Sequence, residues 1–125
     1  MRDKNMNISQ EWGFGDNKEL ADQLKELVLS GKKKATTGLY RDGGRIPKVG
    51  EYQAILDSDK KRFCVIRCTN VKIMPFLEVG YDFIQKEGEG DGDIEEWRAK
   101  HRKFFNLKGD NVKVICEEFE MVSRI

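Results

Sequence analysis

The sequence predicts an α+β domain: a curled β-sheet of three to six strands, or a small β-barrel, flanked by helices. Three observations carry this. The 125 residues suit one domain and one core, with neither an internal repeat nor a linker. Apolar residues recur at helical spacing in two separated stretches, 20–28 and 94–105. Strand-like runs occupy 51–57, 62–74 and 112–125, and are bounded by turn residues.

Residues 1–10 are polar and read as a loose lead-in to a single domain spanning 1–125. Trp12 and Phe14 form an apolar pair that can pin this segment to the core. Asp16 or Asn17 can cap a helix whose face is Leu20, Leu24, Leu27 and Val28, with Gly31 ending it in the left-handed manner of a C-terminal glycine. Lys32, Lys33 and Lys34 then meet the negative end of the helix dipole, and Ala35-Thr36-Thr37-Gly38 follows as a turn. Tyr40 to Gly50 is a glycine-rich loop containing Pro47. Glu51–Asp57 and Arg62–Met74, joined by the polar turn Ser58–Lys61, suggest a hairpin. Pro75 breaks the second strand, and Phe76, Val79 and Phe83 have the spacing of a short helical segment. Asp93 can cap a further helix carrying Ile94, Trp97, His101, Phe104 and Phe105 on one stripe. After the turn Lys108–Asn111 a closing strand runs to Ile125, with a change of phase near Glu117-Glu118 that suggests a bulge.

Composition narrows the function. Charged residues make up 36% and the net charge is +1, so the overall balance does not demand a polyanionic partner. The charges are nevertheless segregated, with a basic stretch from Lys32 to Arg45 and an acidic one from Glu87 to Glu96. The three cysteines, Cys64, Cys68 and Cys116, sit in apolar settings and read as buried thiols, neither a disulfide framework nor a zinc site. No run is long and apolar enough for a membrane span, and the expected location is the cytoplasm.

Three groups of residues can carry chemistry. Lys33 and Thr36 put an ammonium and a hydroxyl three apart, where a lysine of lowered pKa can take a proton from the hydroxyl. A solvated basic turn is the plain alternative. Glu87, Glu89, Asp91 and Asp93 alternate with glycine, which suits a cation-binding loop, an acid–base carboxylate, or simply an acidic helix start. No metal or other cofactor is expected. His101, the one histidine, and Trp97 share a helix face and read either as core-edge packing or as contacts to a ligand.

In this order and spacing the residues resemble the ASCH domain family of the PUA-like superfamily, in a longer bacterial subgroup. The resemblance rests on Gly31-x-Lys33-x-x-Thr36, Pro47-x-Val49-Gly50, Pro75-Phe76-x-Glu78-Val79, the Glu87–Asp91 run and Trp97-Arg98-x-x-His101-x-x-Phe104-Phe105. It implies a PUA-like fold with a basic cleft for RNA or a modified nucleoside. Some small bacterial members look like amidohydrolases that deacylate N(4)-acetylcytidine, and others have been described as single-strand ribonucleases. Carried over, Lys33 is the base, Thr36 the nucleophile and Glu87 the acid. Thr36 and Thr37 amides or Arg45 steady an oxyanion. For RNA binding, Lys32, Lys34, Arg41 and Arg45 are expected to hold phosphates and Tyr40 or Trp97 to stack on a base, with His101 nearby. The alternative is an RNA-binding module without chemistry. Where the family often has a hydroxyl residue after the lysine, this chain has Lys34; where the helical segment usually has alanine, it has Ile84.

Overall fold

The computed structural model describes residues 7–14 and 17–125. The element order is β1 (Ile8–Gly13), α1 (Lys18–Leu29), β2 (Ala35–Leu39), β3 (Tyr52–Leu56), β4 (Arg62–Pro75), a single 3-10 turn (Phe76–Glu78), α2 (Tyr81–Glu87), α3 (Ile94–Phe104) and β5 (Lys113–Arg124). The strands form one mixed sheet in the order β1-β3-β4-β5-β2. The α+β class holds, and the sheet does not close into a barrel: β1 and β2 are its two edges and do not pair.

Local signals place most elements. Asn17 caps α1, its side chain accepting from the Leu20 amide at 2.7 Å; Asp16 lies outside the described residues. Gly31 has φ +82°, as the helix stop requires. Asp93 caps α3 by accepting from the Glu96 amide at 2.8 Å. The hairpin β3–β4 is antiparallel as expected, its turn closed by Asp57 accepting from the Asp59 and Lys61 amides.

Three features depart from the sequence reading. β1 begins at Ile8, inside the expected lead-in, and pairs in parallel with β3, from Ile8↔Tyr52 to Gly13↔Leu56. The expected turn after the lysines is a strand: β2 pairs antiparallel with β5, Thr36 opposite Glu117 and Thr37 opposite Cys116. The extra residue near Glu118 belongs to the partner strand. Cys68 faces Phe119 and Asn70 faces Glu118, so Thr69 of β4 is the bulged residue.

The pairing sorts side chains onto two faces, because residues alternate along a strand and cross-strand partners share a side. Phe119 of β5 joins Val28, Ile55, Phe63, Cys64 and Ile66 in one core, with Trp12, Phe14 and Leu29 against it. Val114 and Cys116 join Phe76, Val79, Ile84 and Trp97 in the other, beneath α2 and α3. Thr36 therefore shares the inner face with Glu117, and Thr37 shares the face covered by α2 and α3.

The inner face is polar at one end. Gln53, fully buried, receives the Trp12 indole N–H at 2.7 Å and donates to Glu51 (2.7 Å) and Glu117 (2.8 Å). Arg45 bridges Glu51 and Gln10 above it. Burial raises the Glu117 carboxyl above its ordinary value of 4.5, against bonds from Cys68 and Gln53 that lower it. As pH rises the unfolded chain loses this proton before the native one does. The Glu117 contribution is therefore fully present below the ordinary carboxylate value and lost as pH climbs through the raised one. The neutral isostere Glu117→Gln is expected to raise the urea midpoint near about pH 7 and to leave it unchanged near about pH 4. Equal midpoints at the higher pH would contradict this.

Candidate functional site

The site lies where the segment between α1 and β2 meets the C-terminal end of α2. Glycine makes this meeting possible. Gly88, at φ +68°, caps α2, and a Cβ there would stand 2.0 Å from the Lys32 carbonyl oxygen. The Lys34 amide donates to the Lys86 carbonyl at 2.8 Å, and the Lys33 amide to that of Leu27 at 3.0 Å. The backbone on both sides of Lys33 is thus pinned, one side to α1 and the other to α2.

Of the three lysines only Lys33 turns inward; Lys32 and Lys34 are exposed. Lys33 is 2% exposed, and its ammonium donates to Ala35 O (2.8 Å), Glu89 Oε2 (2.6 Å) and Glu87 O (3.4 Å). Three donors therefore meet three acceptors. The Phe14 ring lies 5.9 Å from the same nitrogen. Glu89 also accepts from Lys100 at 3.2 Å, and Lys100 donates to Asp91 at 3.0 Å. Burial works to raise the Glu89 carboxyl, but the charges of Lys33 and Lys100 outweigh it and hold the group below its ordinary value. Burial likewise works to lower Lys100, and Glu89 and Asp91 hold it above the ordinary lysine value.

Glu87, 1% exposed, ends α2 with its carboxylate among three side chains. Thr37 Oγ1 donates to Oε2 at 2.7 Å, and the Trp97 indole N–H donates to Oε1 at 2.5 Å. His101 Nε2 stands 3.6 Å from Oε1. His101 Nδ1 lies 2.9 Å from the Trp97 carbonyl oxygen, and since a carbonyl only accepts, Nδ1 carries the hydrogen and Nε2 faces the carboxylate.

These groups line a cavity of about 580 Å³ between α1 and α3, with β2 as its floor. Leu20, Leu24, Leu27 and Phe14 make an apolar wall, and Phe104 stands opposite. Lys100 and Lys103 of α3 bring positive charge to the cavity, with Lys33. A second, smaller cavity of about 280 Å³ opens on the other side of β2, bounded by Trp12, Arg45, Pro47 and Glu117, and Thr36 and Thr37 border both.

The sequence-predicted residues separate accordingly. Lys33, Thr36, Glu87 and His101 border the main cavity. The hydroxyl bonded to Glu87, however, is that of Thr37, because strand alternation gives Thr36 and Thr37 opposite faces. Lys32, Lys34 and Tyr40 line neither cavity, and Arg45 borders only the smaller one. Trp97 is not available for stacking on a base: it is fully buried, with its ring stacked between Phe76 at 5.4 Å and His101 at 4.2 Å. Its role is to orient Glu87. The acidic loop does not act as a unit, since its Glu89 and Asp91 carboxylates are taken by lysines. Sequence reading passed over Lys100 and Lys103, weighed Glu89 only as one carboxylate of the acidic loop, and offered Thr37 only for its amide. Helix spacing gave the one usable signal, placing Lys100 and Lys103 one turn apart beside His101.

A sequence model of the ASCH domain matches residues 10–123. Among solved structures the chain is similar to an ASCH domain from Lactobacillus crispatus, at 26% identity and TM-score 0.84, covering 97% of this chain and 84% of that one. It is also similar to a protein from Enterococcus faecalis, at 32% identity and TM-score 0.85, covering 98% and 83%. A mutant ASCH protein from Zymomonas mobilis shares the fold at 11% identity and TM-score 0.61, covering 93% and 71%. Among curated proteins none matches. With the family matched over nearly its whole length and a sheet, helices and lysine segment arranged as described, the chain belongs to the ASCH domain family of PUA-like proteins.

Proposed function

We propose that this ASCH domain is an amidohydrolase acting on an N(4)-acylated cytidine or a similar acylamino nucleoside. One observation carries the reading: on the floor of a half-open cavity, the Thr37 hydroxyl is bonded at 2.7 Å to the buried Glu87 carboxylate, beside the buried Lys33 amine. A hydroxyl held by a carboxylate is a nucleophile already paired with its base. The cavity volume falls in the range of small-molecule sites, which supports a nucleoside-sized ligand over a long strand.

In this mechanism the threonine oxygen attacks the acyl carbon as its proton passes to Glu87. The Lys33 ammonium stabilises the oxyanion that forms. Collapse of the tetrahedral intermediate breaks the C–N bond, and Glu87 returns the proton to the departing exocyclic nitrogen. Water then attacks the threonyl ester as Glu87 takes its proton, and collapse breaks the acyl–oxygen bond, returns that proton to the threonine oxygen and releases the carboxylic acid. The Trp97 indole N–H holds the carboxylate in place. The family motif assigns the attack to Thr36; the bond to Glu87 speaks for Thr37.

The test is incubation with N(4)-acetylcytidine, with cytidine followed by chromatography. Turnover is expected, reduced by about a hundredfold or more in Lys33→Ala and in Glu87→Gln. Thr37→Val should lose more than Thr36→Val, and the reverse order returns the nucleophile to Thr36. Absence of turnover, or full turnover by Lys33→Ala, overturns the proposal. The alternative of RNA binding without chemistry predicts salt-dependent affinity for single-stranded RNA and no product.

A further inference from the structure

Glu89 holds an unusual position. It sits on a loop beyond the end of α2, between Gly88 at φ +68° and Gly90 at φ +82°. Yet its carboxylate reaches back into the main cavity and bridges two ammonium groups, Lys33 at 2.6 Å and Lys100 at 3.2 Å. The bridge is dry at its inner end, the Lys33 side chain being 1% exposed and that of Glu89 17%, and open to solvent at Lys100, which is 42% exposed. Neither lysine depends on Glu89 alone. Lys33 keeps the Ala35 carbonyl at 2.8 Å, and Lys100 keeps Asp91 at 3.0 Å. Lys103 adds a third cation to the cavity lining.

We propose that the main cavity contains an anion subsite at Lys100, with Lys103 beside it, and that Glu89 occupies it until a ligand phosphate or carboxylate takes its place, which frees one N–H of Lys33 for the reacting acyl group. The Lys100 ammonium, with Lys103 one turn on along α3, suits a dianionic phosphate better than one protein carboxylate, since charge-assisted bonds strengthen with the charge they meet. On the nucleoside reading above, the preferred ligand is a nucleoside monophosphate or an end of a short oligonucleotide, with the phosphate at Lys100 and the acyl group at Lys33. The anion subsite rests on that reading only for the remainder of the ligand.

The experiment is calorimetric titration of inorganic phosphate, cytidine and cytidine 5′-monophosphate into the native protein and into Glu89→Gln. The monophosphate is expected to bind the native protein about tenfold more tightly than cytidine, and this advantage to grow by about another tenfold in Glu89→Gln. Inorganic phosphate is expected to compete with the monophosphate. A monophosphate no tighter than cytidine on both proteins, or weakened by Glu89→Gln, overturns the proposal while leaving the nucleoside reading in place. Inorganic phosphate binding that tightens in Glu89→Gln, with no binding of cytidine, upholds the subsite and removes the nucleoside. Should Glu89→Gln fail to fold, Lys100→Gln decides: loss confined mainly to the monophosphate supports the subsite, and equal loss for both ligands overturns it.

Discussion

Gly88→Ala is expected to lower the stability of the domain by about 2–5 kcal/mol, read as a fall in the urea midpoint. Two costs add. A non-glycine residue pays for the left-handed backbone at φ +68°. The new methyl group would also stand 2.0 Å from the Lys32 carbonyl oxygen, a backbone atom that cannot rotate away. The α2 terminus and the lysine segment must then separate, and the Lys34–Lys86 backbone bond is lost with them. Gly31→Ala is the control. Gly31 has φ +82° but nothing within 4 Å of its Cβ position, so it should cost only the backbone term, about 1–2 kcal/mol. Equal losses in the two variants would show that the close approach at Gly88 is not what makes glycine necessary. Because Glu87 and Glu89 flank Gly88, any variant that still folds should also lose activity and anion binding together.

Lys33→Met should be nearly as severe, costing about 3 kcal/mol, because removing one partner of a buried ion pair strands the other. Glu89 would keep only Lys100, and the Ala35 carbonyl would lose its donor. The double variant Lys33→Met with Glu89→Gln removes both charges. It should recover about 1–2 kcal/mol of that loss, with no return of activity. A double variant no more stable than the single one would show that the pair does not couple. The sign of the pH effect is fixed as well. Glu89 is held below its ordinary value, so its stabilising contribution is present above the ordinary carboxylate range and lost as pH falls through the lowered one. The gap between native and Lys33→Met should therefore narrow in acid.

How far the sequence reveals this depends on the range over which each signal acts. The cap at Asn17, the stop at Gly31, the hairpin turn at Asp57 and the cap at Asp93 are all decided within four residues, and all were legible. β1 and β2 were not. Ile8-Ser9-Gln10-Glu11-Trp12 places Gln10 on the same face as Ile8 and Trp12, where its side-chain oxygen accepts from Arg45, so the apolar alternation that marks a strand is missing. Ala35-Thr36-Thr37-Gly38 becomes a strand only because β5, some eighty residues later, lies beside it. That one misreading also moved the chemistry. Read as a turn, the segment pairs Thr36 with Lys33; as a strand, it gives Thr37 to Glu87. Lys33 and Glu87 were recognised through the family motif and its spacing. Glu89 looked like any other carboxylate in a glycine-rich loop, and only burial distinguishes it.

The three cysteines give the domain a chemical record of its own opening. Cys64 and Cys68 lie in β4 and Cys116 in β5, the adjoining inner strands of the sheet. Burial pushes each thiol up to about 12. Alkylating and oxidising agents attack the thiolate, so near neutral pH the folded sheet offers them neither access nor the reactive form. Modification must wait until β4 and β5 part. The rate at which these sulfurs are labelled is then a measure of how often the centre of the sheet comes undone, and a mild oxidant spares the native protein while marking copies that have opened.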